Sequence, residues 1–143
     1  MMAATVYQLD WLKDHPLYDK MVEVMGAYDD SIDYVGPQKR KLLVKLIPRW
    51  MLFMCDINIC AYIHDYFYRR GGSKLNRADA DTQFLAHIIL WIEIYEWPGQ
   101  KIKYVGGIIA WKWRSLAKVQ ARYYYMFVRL FGDSSFRYFA KTV

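Results

Sequence analysis

The sequence predicts an all-α, single-domain protein, and three observations carry that expectation. Apolar residues recur at helical spacing through most of the 143 residues. Glycine and proline pairs separate these stretches. Nothing in the pattern asks for a sheet beyond a short hairpin. With 55% hydrophobic and 24% charged residues, the chain fits one folded domain over residues 1–143 and not a disordered or fibrous protein.

The elements follow in order. Leu17, Met21, Val24, Met25 and Tyr28 keep helical spacing after Asp14-His15-Pro16, a helix-start signal in which His15 has a local role. Gly36-Pro37 marks a loop, and a basic, leucine-rich segment from Lys39 to Ile47 ends at Pro48. In the next segment, Trp50 to Arg70, Ile59, Ile63 and Phe67 form one apolar line, which Gly71-Gly72 stops. Asn76, with Asp79 three positions on, reads as the start of a helix running to about Glu96. Trp97-Pro98-Gly99 ends it. The motif-bearing core is thus about residues 50–96. A last helix, about 108–131, runs from Ile108 to Phe131 and ends at Gly132.

That last helix is amphipathic. At 100° per residue Arg114, Lys118, Arg122 and Arg129 fall within about 80° of one another, opposite Trp113, Leu116, Tyr124, Phe127 and Phe131. Two readings are open: a helix docked on the core with a solvated basic face, or one lying on an anionic membrane. Charge is segregated in the same sense. Residues 1–33 carry seven acids and two bases, net −5, whereas residues 97–143 carry nine bases and one acid, net +8. A basic end attracts phospholipid headgroups, nucleic acid or the acidic end of its own chain.

The longest apolar stretch, Phe84 to Ile92, is interrupted by His87 and falls far short of the roughly 20 residues that span a bilayer. The first residues lack a basic lead followed by an apolar block, so no signal peptide is expected. Cys55 and Cys60 suit neither a disulfide framework nor a zinc site. A cytoplasmic protein, or one peripheral to a membrane, is the expectation. His87 on an apolar face reads as a core or boundary histidine, and the seven Met as core filler.

The residues that carry chemistry cluster around one helix and the turn after it. His64 and Tyr68 are four apart and share a helix face. Asp65 is rotated by about 100° from His64 and is free to face a cation or solvent. After the turn at Gly71-Gly72, Asp81 near the start of the next helix comes opposite His64 and Tyr68 in an antiparallel pair. A carboxylate there fixes the imidazole in one tautomer and leaves its other nitrogen to take a proton from water. A tyrosine hydroxyl holds the carboxylate in turn. Asp65 offers hard oxygen donors of the kind Ca²⁺ takes. The same His64–Asp81 pair also reads as a buried polar pair that fixes helix register, with no substrate.

The run Cys60-Ala61-Tyr62-Ile63-His64-Asp65-Tyr66-Phe67-Tyr68 resembles the C-x-x-x-H-D-x-x-Y signature of phospholipase A2. Ala80-Asp81-Thr82-Gln83-Phe84 resembles the A-D-x-x-F of parvoviral and bacterial phospholipase-like domains. The two together look most like an uncharacterised bacterial and phage family with H-D-Y-x-Y-R-x-G followed by A-D-x-x-F. The likeness covers about 30 residues, Ile57 to His87. It implies that His64 is the general base for an attacking water and that Asp81 orients it. It also implies that Tyr68 supports Asp81, that Asp65 is a calcium ligand, and that the substrate is a phospholipid at a membrane surface. Phospholipases A2 complete the calcium site with carbonyls of a glycine-rich loop. Tyr34-Val35-Gly36-Pro37 resembles the Y-x-G-P start of the parvoviral loop, which makes Gly36 the candidate backbone ligand. It lacks the second glycine and lies 28 residues before His64.

Three functions compete. One is a phospholipase A2-like lipid ester hydrolase that uses Ca²⁺. Another is a catalytically inactive protein on the same scaffold that binds membrane, nucleic acid or a phage or host partner. The third, a metal phosphohydrolase with a His-Asp pair, ranks last, because it needs further ligands and His15 is the only upstream histidine.

Overall fold

The computed structural model describes residues 5–35 and 47–138. Within them the chain is mostly helical: α1 (Val6–Lys13), α2 (Tyr18–Met25), α3 (Asn58–Arg70), α4 (Lys74–Ile94) and α5 (Gly106–Phe131), with a short 3-10 turn at Asp133–Ser135. Among the described residues the sheet is one antiparallel hairpin of β1 (Trp50–Met51) and β2 (Cys55–Asp56), in the register Trp50 to Asp56 and Met51 to Cys55. Among the described residues no helix is long and apolar enough to cross a membrane.

Helix α3 is the central element. Nine of its 13 residues are buried, from Asn58 to Tyr68, because α1, α2 and α4 pack around it. One continuous core draws on Leu12 of α1, Met21 of α2, Ile59 and Ile63 of α3, Ile88 and Ile92 of α4, and Ala117, Ala121 and Tyr124 of α5. Both cysteines are buried in it and free.

Several boundaries differ from those expected. The segment from Trp50 to Arg70 is not helical throughout. Its first residues form the hairpin, whose turn holds Leu52 and Phe53 at φ of 50° and 63°, and the helix starts only at Asn58. Helix α4 starts at Lys74 rather than Asn76. Ser73 is its N-cap, and a reciprocal capping box links the Ser73 and Asn76 side chains to each other's backbone N–H. Asp79 lies beyond that first turn and is exposed. Helix α4 ends at Ile94, two residues before Glu96, and α5 opens at Gly106, two before Ile108. Helix α1 was not expected. Thr5 and Gln8 form a capping box at its start. His15 has the local role anticipated for it: its Nδ1 accepts from the Leu17 N–H at the entrance to α2.

The turn between α3 and α4 depends on Gly71. Its φ is +71°, and a Cβ there would run into the carbonyl of Arg137. The chain after α5 uses that space. The Gly72 N–H donates to Arg137 O, the Arg137 N–H donates to Tyr68 O, and Phe136 packs edge-on against the Tyr68 ring. The C-terminal segment thus closes over the end of α3 that carries Tyr68.

Helix α5 is rotated by part of a turn from the orientation that its hydropathy pattern suggests. The face turned inward carries Ala110, Ala117, Ala121, Tyr124 and Val128, and its three alanines let α5 approach α4 closely. Of the residues expected to be apolar and inward, Tyr124 and Phe127 are buried and Trp113 packs on the core half-buried, but Leu116 and Phe131 are exposed. The four bases do not form one solvated face. Lys118 pairs with Glu93, Arg114 donates to Gln100, and Arg129 turns inward to Asp81, which leaves Arg122 exposed.

Candidate active site

Helices α3 and α4, joined by a three-residue turn, set His64 against Asp81. The His64 Nε2–Asp81 Oδ1 distance is 2.8 Å, and the Tyr68 hydroxyl donates to the same oxygen at 2.6 Å. Asp81 is fully buried, while Tyr68 and His64 are nearly so. The His64 ring is sandwiched between Tyr68, 4.2 Å away by ring centroids, and Phe84, 4.6 Å away. Its plane is therefore fixed by packing as well as by the hydrogen bond. With Nε2 taken by a carboxylate, Nδ1 is the nitrogen left to accept a proton, and it has no hydrogen-bond partner among the described residues.

Two arginines complete the surroundings of Asp81. Arg129, from the last turn of α5, donates from Nη1 to Asp81 Oδ2 at 2.8 Å. Arg77, one turn before Asp81 on α4, has Nε 3.9 Å from the same oxygen and 3.4 Å from the Tyr68 hydroxyl. Its Nη2 donates to the carbonyls of Val128 and Arg129, at 2.8 and 2.7 Å, which caps the end of α5. Burial alone would raise the Asp81 pKa. The hydrogen bonds from His64 and Tyr68, joined by Arg129, override it and hold the carboxyl below its usual range. Burial, and the adjacent Asp81 charge, push the Tyr68 phenol far up, so it stays protonated as a donor.

His64 and Asp65 both line a cleft of about 240 Å³, together with Tyr34, Arg69 and Ser135. Phe84, Phe127, Val128 and Phe131 give it an apolar wall. Gly132 forms part of the floor. A Cβ on it would sit 2.6 Å from the Tyr68 hydroxyl, so only glycine lets the end of α5 come this close.

Asp65 makes no hydrogen bond or ion pair with another described residue. Burial pushes its carboxyl well above the usual carboxylate range, Arg69 offsets part of that rise, and Asp33 adds to it. Asp33 and Tyr34 come from the segment that follows α2. Asn58, the first residue of α3, pins that segment: its Oδ1 accepts from the Tyr34 N–H, and its Nδ2 donates to the Ile32 carbonyl and the Tyr28 hydroxyl. Arg49 anchors the same loop, donating to the Asp30 carbonyl and, through two nitrogens, to Asp56. A segment distant in sequence is thereby held at the cleft beside Asp65. Gly36, the expected backbone ligand, lies outside the described residues. No group of three or more His, Cys, Asp or Glu among the described residues is placed to hold a metal ion.

Of the four side chains singled out in the sequence, His64, Tyr68 and Asp81 thus meet in one hydrogen-bonded cluster, and Asp65 lines the same cleft as His64 and Tyr68. Arg129, Arg77 and Asn58 were not anticipated. Arg77 left a signal, because it stands four before Asp81 and so shares its helix face. Arg129 left none, since its partner is 48 residues away. Compared with protein-family models, with curated proteins and with solved structures, the chain matches none.

Proposed function

We propose that this protein is a phospholipase A2-like lipid ester hydrolase working at a phospholipid surface. The observation that carries the reading is the division of labour on one imidazole. Nε2 of His64 is committed to Asp81, and the ring borders an apolar-walled cleft that also holds Asp65. His64 Nδ1 takes a proton from water as the water oxygen bonds to the ester carbonyl carbon. Asp81 stabilises the imidazolium, and Tyr68 and Arg129 keep Asp81 ionised and in place. Collapse of the tetrahedral intermediate breaks the ester C–O bond, and the departing alkoxide takes the proton back from His64. The products are a fatty acid and a lysophospholipid. The apolar wall of Phe84, Phe127, Val128 and Phe131 suits an acyl chain.

Calcium fits Asp65 in this reading. Its carboxylate is half-buried, unpaired among the described residues and close to the charge of Asp33, a combination that a divalent cation relieves. Asp65 would be the side-chain ligand of the ion, at the cleft that Tyr34 also lines. The ion supplies Lewis-acid polarisation of the ester carbonyl. The test uses purified protein, anionic vesicles and millimolar Ca²⁺. Fatty acid release that is lost on chelation and in Asp65→Asn supports the reading. Release insensitive to both overturns the calcium part of it.

A second reading is a catalytically silent binding protein. It draws on the exposed apolar side of α5, which needs no chemistry to dock on a partner.

A further inference from the structure

Helix α5 turns an apolar stripe outward. Leu116, Val119, Tyr123, Met126 and Leu130, spaced three and four residues apart, are each between 45% and 68% exposed, and Ile108 continues the line at 62%. At 100° per residue the six fall within about 80° of one another, and the five-residue stripe is about 21 Å long. Exposed apolar side chains scattered singly are ordinary, but a continuous row along one helix is not. In the chain leading into α5, Ile102, Tyr104 and Val105 are exposed too, beside Lys103.

Charge says what covers this row. The 26 residues of α5 include five bases and no acid. Lys118 and Arg129 are engaged by Glu93 and Asp81, which leaves two exposed cations, Lys112 within the row between Ile108 and Leu116, and Arg122 along its edge. A helix with an outward apolar row, exposed aromatics and flanking cations suits the headgroup boundary of an anionic bilayer. A second copy fits less well. In a twofold antiparallel pairing centred on Tyr123, Arg122 would be set near its own symmetry mate, with no acid on the helix to neutralise it. The stripe also leads to the cleft: Phe131, next to Leu130, is 42% exposed and lines the space beside His64.

We infer that the outward face of α5, from Ile108 to Leu130, is a docking surface for anionic phospholipid bilayers, with its C-terminal end delivering the cleft to the lipid. The inference gives the proposed hydrolase its surface, but docking does not require turnover. The two are separated by working in full-length His64→Ala, which leaves the vesicles intact. Co-sedimentation with phosphatidylglycerol vesicles is compared with phosphatidylcholine vesicles, and Val119→Glu/Met126→Glu is added in the same background. Both changed side chains are exposed, and circular dichroism verifies that the fold is kept. Docking predicts binding to the anionic vesicles only, weakened by raised salt and reduced about tenfold or more by the double substitution. No binding to phosphatidylglycerol vesicles overturns the inference, as does binding that the double substitution leaves unchanged. A dimer in sedimentation velocity that the double substitution dissociates also overturns it, since a second copy then owns the face.

Discussion

Arg129 and His64 hold opposite oxygens of one carboxylate: Asp81 accepts from Arg129 Nη1 at Oδ2 and binds His64 Nε2 at Oδ1, each at 2.8 Å. The imidazole is therefore oriented by three helices rather than two. Arg129→Leu removes a charge-assisted hydrogen bond to a fully buried carboxylate. Urea unfolding should show a loss of about 1–3 kcal/mol. Lipid hydrolysis should fall in the same variant, because Asp81 loses the donor that fixes its second oxygen. Unchanged stability would mean that the bond carries nothing.

Asp81 should also leave a signature in acid. Its folded pKa lies below the ordinary value, so its stabilising contribution is complete above the unfolded carboxylate pKa and is lost as pH falls through the folded one. In Asp81→Asn that part of the acid transition should be absent. Thermal melts between pH 5 and 2 compare the two chains.

His87 predicts a separate window. Burial lowers its pKa to about 4, helped by neighbouring His15, and its Nδ1 is buried without a partner. The unfolded chain, with a histidine pKa near 6.5, binds the proton more readily. Stability is therefore full above pH 6.5, declines as pH falls toward 4, and levels off below it. The loss is on the order of 1–3 kcal/mol. His87→Phe, which keeps the ring packed edge-on by Trp11, should flatten the curve in that range. A slope that persists there assigns it to another group.

Gly132→Ala tests the contact that lets α5 close on the site. Its Cβ would run into the Val128 carbonyl oxygen and meet the Tyr68 hydroxyl at 2.6 Å, straining the end of α5 and pushing the phenol away from Asp81. Destabilisation of about 1–3 kcal/mol is expected, together with reduced turnover. Unaltered melting would show that the end of α5 yields freely.

The dyad was legible because its geometry is local. An i, i+4 pair on one helix and a short glycine turn suffice to bring Asp81 opposite His64 and Tyr68. The start of α4 was misplaced because Asn76 and Ser73 are both cap residues, and only the reciprocal pair tells which is the cap. Helix α1 escaped notice since it offers little apolar periodicity beyond Leu9 and Leu12. The inward face of α5 was legible only in part, at Trp113, Tyr124 and Phe127. Hydropathy rewards Leu116 and Phe131 over Ala117 and Ala121, whereas close helix packing favours the alanines. The hold of Asn58 on Tyr34, and of Arg129 on Asp81, depends on tertiary docking that no short window of sequence contains.

Turnover by three chains tests the central claim most directly: wild type, His64→Ala and Asp81→Asn, each verified as folded, on anionic phospholipid vesicles with millimolar Ca²⁺. The dyad as described predicts fatty acid release by wild type, none above background from His64→Ala, and a fall of about a hundredfold or more in Asp81→Asn. Equal release from wild type and His64→Ala, or none from wild type, contradicts it.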